Sequence, residues 1–163
     1  MQSSGQVSQA LDSEHRNNLD VLGRVEQALA RSAGAATDGE LARLLPAFVR
    51  LIEQDIGRHF DFEESELFPR MAQAGDGDMA ELMREEHDAI REVAAEVLPL
   101  ARRAAAGSLD RAGFDALRRG ASELIERQVA HIQKETMALL PLLDDLLDED
   151  LDRDLAFAYA SSS

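Results

Sequence analysis

Four histidines, His15, His59, His87 and His131, are all that the chain contains, and each continues a stripe of apolar residues. His15 extends Leu11, Leu19 and Leu22, and His87 extends Met83, Ile90 and Val97. His59 follows Phe48 and Ile52, and His131 follows Leu117 and Leu124. A glutamate comes four residues after two of them, Glu63 after His59 and Glu135 after His131. Residues four apart share one face of a helix. Six polar groups therefore point into hydrocarbon, which costs several kcal/mol if they find no partner.

Metal ions remove that cost. Imidazole with carboxylate and no thiolate suits iron, manganese or zinc. Closed structural zinc usually takes four ligands, thiolates often among them, whereas this chain has no cysteine. If each ion takes two histidines and both glutamates bridge, a shared oxo or hydroxo group leaves about one open position per ion in octahedral geometry. The expected cofactor is two iron ions, with manganese or zinc as possible substitutes. The metal ligands expected are His15, His59, Glu63, His87, His131 and Glu135.

Helices must bring these residues to one level. From His15 a helix climbs about 25 Å by residue 32, and a second descends about 28 Å from residue 40 to His59. The same journey separates His87 from His131, since both intervals are 44 residues. A shift of 72 residues superposes His15 on His87, His59 on His131, Glu63 on Glu135, Glu14 on Glu86 and Pro69 on Pro141. Duplication of a two-helix unit explains this. The expected fold is all-α, an up-down-up-down four-helix bundle with an internal two-helix pseudo-repeat.

Apolar periodicity places the four helices. The first runs from Leu11 to Leu29 and ends in the small-residue segment 32–39. The second carries Leu41 to Phe62, with Pro46 marking either its start or a kink. A turn at 75–78 follows, with Asp78 as a cap for the third helix and a possible bend at Pro99. Gly107 and Ser108 break that helix, and Ser108 or Asp110 caps the fourth, which carries Phe114 to Leu142. The domain organisation expected is a flexible tail over 1–9, the bundle over 10–147 and an acidic tail over 148–163.

Composition agrees. Of 163 residues 45% are apolar and only 4% aromatic, which favours one helical domain over a sandwich or barrel. The net charge of −15 argues against nucleic acid, which needs a basic face, and against anionic membrane surfaces. It suits a protein that collects cations. No run approaches the roughly 18 apolar residues of a membrane span, and the polar N-terminus has no signal-peptide pattern. A cytoplasmic location is expected.

The set His15, His59-x-x-x-Glu63, His87 and His131-x-x-x-Glu135, with Phe68-Pro69 after the first pair, resembles the hemerythrin-like (HHE cation-binding) domain family over about residues 10–147. The resemblance implies a non-haem di-iron site binding oxygen, nitric oxide or related small molecules such as peroxide. The oxygen-carrying hemerythrins have a fifth histidine where this chain has Arg91, and an aspartate five residues after the last histidine where this chain has Glu135 at four. The eukaryotic iron-sensing domain has a glutamate at the position of Phe60. The chain is more similar to the bacterial iron-centre repair and nitric-oxide-responsive proteins, without their cysteine-containing N-terminal domain.

Lesser candidates surround this set. Phe60, Phe62 and Met83 could line a pocket or simply pack the core. Glu14, Glu64 and Glu86 could accept from imidazole N–H groups or lie on a solvated face. Tyr159 falls in the expected tail, which gives it no radical role. Three functions compete: a binding protein for sensing, scavenging or iron handling; a di-iron enzyme that consumes peroxide, oxidises ferrous iron or reduces nitric oxide; and a metal-free helical interaction module.

Overall fold

Helical periodicity dominates because each apolar stripe needs a facing stripe to bury it. The computed structural model describes residues 5–32 and 39–161, and all its regular structure there is helical. Helix α1 spans Gln6–Arg31, α2 covers 39–73, α3 spans Gly77–Ala105, α4 covers 111–146 and α5 spans Glu149–Ser161. Both α1 and α3 pack on α2 and α4, closing an all-α bundle, and α5 lies along α1. No helix among the described residues is long and apolar enough to cross a membrane.

The core has two apolar clusters with the ligand layer between them. One gathers Leu22, Leu45, Phe48, Ile90, Val97, Phe114 and Leu117, and the other gathers Leu11, Leu67, Phe68, Met71, Met83, Leu139 and Leu143. Burying each such side chain contributes about 1.5–3 kcal/mol. Positive φ at Gly75 and Gly107 lets the chain leave α2 and α3. There the amides of Asp76 and Ser108 donate to the carbonyls of Met71 and Arg103, at 2.8 and 2.9 Å, closing the helix ends.

One local expectation needs correction. The cap of α3 is Asp76, without a side-chain bond, and Asp78 lies inside the first turn, where its charge suits the helix dipole. The second helix begins at Gly39, so Pro46 lies within it. Asp110 does cap α4, accepting from the amide of Gly113 at 2.7 Å. The expected loop at 33–38 and residues 1–4 and 162–163 lie outside the described residues.

Both ends differ from the expected tails. Residues 6–9 open α1, and Val7 and Ser8 are buried. Residues 149–161 form α5, which buries Leu155 and Tyr159. The physical reason is helix capping. Gly5 offers α1 no side chain, so Asp152 of α5 accepts from the amides of Gln6 and Val7 at 2.7 and 3.0 Å, and Asp144 accepts from Gly5 at 3.1 Å. Carboxylates at the positive end of α1 satisfy amides that the helix itself cannot.

Wide, π-helical turns flank the ligands. They occupy Ile52–His59 and Glu63–Leu67 in α2, and Glu135–Leu139 in α4. In the last two, the amides of Phe68 and Leu140 reach five residues back to the carbonyls of Glu63 and Glu135. Pro69 and Pro141 come next. Each lacks an N–H, and its ring crowds the carbonyl four residues earlier. A widened turn relieves that crowding, so proline and wide turn recur together in each half.

Candidate metal centre

The structure brings all six expected ligands into one buried layer, each at most 2% exposed. They form two groups that share both glutamates: His15, His59, Glu63 and Glu135, and His87, His131, Glu63 and Glu135. Glu63 places Oε2 3.0 Å from His59 Nε2 and Oε1 3.1 Å from His87 Nε2. Glu135 places Oε1 3.1 Å from His15 Nε2 and Oε2 3.3 Å from His131 Nε2. Each carboxylate thus turns one oxygen to each imidazole pair.

Outward from this layer, every ring has an Nδ1 partner on a neighbouring helix. Glu14 meets His59 at 3.0 Å, Glu64 meets His87 at 2.7 Å and Glu86 meets His131 at 2.8 Å. The three glutamates that could have formed a solvated face buttress the histidines instead. An Nδ1–H that donates to a carboxylate leaves the Nε2 lone pair directed at the centre. His15 Nδ1 meets Thr136 Oγ1 at 3.1 Å. Cations balance the outer carboxylates: Arg58 on Glu14, Arg91 on Glu64 and Lys134 on Glu86. Arg91 also reaches Asp61 and Asp88, so it is tied at the surface.

Without an added cation the layer collects protons. Burial opposes charging His59, yet the charges of Glu63 and Asp55 hold its pKa well above the ordinary imidazole value. His87 is pushed up to about 9, burial being overcome by the carboxylates of Glu135 and Glu63 beside it. His131 also rises against burial, through the charge of Glu135. Burial and then the charge of Glu135 raise Glu63, whereas Glu135, though buried, is held well below the carboxylate range by His131. The layer therefore favours positive charge, of the kind that protons or a metal ion can supply.

The donor set also fits metal on its polar accounting. Glu63 Oε1 and Glu135 Oε2 are buried without hydrogen bonds. His87 Nε2 and His131 Nε2 face each other at 3.0 Å, each with its Nδ1 beside a carboxylate. Two nitrogens and two oxygens turned on one spot fit a metal ion.

Aromatic rings close the layer. Phe60 stacks on His87 with centroids 3.7 Å apart and Phe68 tilts against the same ring. Met83 packs nearby in the second apolar cluster. Phe62 contacts Tyr159. The expectation that placed Tyr159 in a tail is corrected: its hydroxyl donates to Glu14, its ring meets His59 edge-on, and Arg58 lies 4.3 Å from its centroid. Asp55 was not anticipated. It sits 3.1 Å from His59 Nδ1 and accepts from Gln128. Its place four residues before His59, on the same face, was the available signal.

Residues 6–143 match the hemerythrin HHE cation binding domain, and the chain belongs to that family. No curated protein matches the chain. Family membership and the buried histidine–glutamate clusters together fit a metal cofactor.

Proposed function

We propose that the chain is a hemerythrin-like non-haem di-iron protein that binds oxygen, nitric oxide or peroxide, serving sensing, scavenging or iron handling. The observation that carries this reading is the division of each glutamate's two oxygens between the two imidazole pairs. His15 and His59 would hold one ion and His87 and His131 the other, with Glu63 and Glu135 bridging. Bound iron supplies one-electron chemistry and open coordination to a small ligand. The protein fixes ring orientation through Glu14, Glu64 and Glu86, and Phe60 and Phe68 keep water from the rings.

Arg91 gives the enzyme reading its specific support. A guanidinium does not coordinate iron, and Glu64, Asp61 and Asp88 hold this one. On a bound ion one more position would then be open to solvent or substrate, and hydroxide there would favour the ferric state through its charge. The di-ferrous protein is expected to be oxidised by oxygen without reversible uptake. Stopped-flow mixing with oxygen, peroxide and nitric oxide in turn tests this and ranks the ligands. Oxygen released intact under vacuum would restore a carrier role. Failure of the reduced protein to react with any of the three would sink the small-molecule reading.

A further inference from the structure

The 72-residue repeat extends beyond the ligands to what supports them. Glu14 superposes on Glu86, and they occupy the equivalent Nδ1 partners of His59 and His131. Glu64 superposes on Thr136, and these occupy the equivalent partners of His87 and His15. Three of the four supports are carboxylates and one is a hydroxyl. Arg91, which pairs with Glu64, superposes on Leu19, so the repeat supplies no matching cation behind Thr136.

We infer that the two metal positions are unequal and fill in order, the His87–His131 position first and the His15–His59 position second. The inference rests on the dinuclear reading above. A carboxylate behind an imidazole increases its donor strength, and losing such a partner typically costs about 10–100-fold in metal affinity. At His87 and His131 both rings have one, at 2.7 and 2.8 Å. At the other position only His59 does. Asp55 also approaches His59, at 3.1 Å, but it shares the single Nδ1 proton with Glu14 and does not reach His15. Thr136 is exposed as well, so water competes for the same ring nitrogen. The consequence is a half-loaded form at limiting metal, with one ion held firmly and one exchangeable.

The chain contains one tyrosine and no tryptophan, so its intrinsic emission comes from Tyr159. That hydroxyl donates to Glu14, the partner of His59, and its emission therefore reports the second position. Zinc, which is redox-silent, is titrated into the metal-stripped full chain, with calorimetry and Tyr159 emission followed together. Two binding events separated by about 10–100-fold are expected, with emission changing only in the weaker one. Thr136→Glu, alone or with Leu19→Arg, should draw the two affinities together, and Glu64→Thr should do so by weakening the tighter event. An emission change with the first equivalent, or a gap that neither Thr136→Glu nor Glu64→Thr alters, overturns the inference. Uptake of a single zinc would refute the dinuclear reading instead. With one ion there is no order of filling, and the inference falls with that reading.

Discussion

At the scale of single residues, the proposed centre sets protons and metal in competition for the same imidazoles. In the metal-free protein the His87 pKa is raised from 6.5 to about 9. Its proton thus adds stability in full below about 6.5, and that contribution is lost as pH rises through about 9. Metal reverses the trend, because bound imidazole must be neutral and acid displaces the ion. Thermal melts should show the metal-free protein weakening from pH 6.5 to 9, and the advantage of the loaded protein shrinking towards pH 5. Equal slopes for the two forms would count against these histidines as ligands. Glu63→Gln should abolish paired binding, since both its oxygens face imidazoles. Glu64→Gln should lower affinity by about 10–100-fold yet keep the stoichiometry; iron content and equilibrium dialysis separate the two effects. That the six expected ligands come together was legible because their spacing is helical and their interval repeats. Glu14, Glu64 and Glu86 were visible but ambiguous, since each reaches a histidine on another helix and no interval within one helix reveals that.

At the scale of elements, α5 departs most from what the sequence suggested. The seven acidic residues between 144 and 154 read as a solvated tail, because charge masks the spacing of Leu147, Leu151, Leu155 and Tyr159. Those residues recur every four positions and face the bundle, and two of the acids cap α1. Capping depends on contacts across about 140 residues of chain, which local pattern cannot supply. Leu155→Ala should destabilise the protein by about 2 kcal/mol, as expected for truncating a buried leucine near the edge of a core. Urea unfolding followed by circular dichroism measures this. A change below about 0.5 kcal/mol, the size of an ordinary surface substitution, would mean that α5 is not docked in solution. The wide turns at Glu63–Leu67 and Glu135–Leu139 were equally hidden, although Pro69 and Pro141 marked their positions.

At the scale of the whole molecule, the bundle is two copies of one helix pair facing each other across a polar layer. The pseudo-repeat explains why four histidines meet, why each glutamate spans both pairs, and why apolar clusters close the layer above and below. The fold was legible from the repeat and the apolar periodicity, because both are properties of the chain as a line. The pairing of His15 with His59 and of His87 with His131 was not, since it depends on how four helices are arranged around the axis. That pairing leads to the central claim, two ions joined by two carboxylates. Anaerobic reconstitution with ferrous iron, oxidation, and joint iron analysis and electron paramagnetic resonance test it most directly. The account expects two irons per chain and a silent resonance spectrum from the coupled ferric pair; one iron per chain, or a full-strength signal from isolated ferric ions, would contradict it.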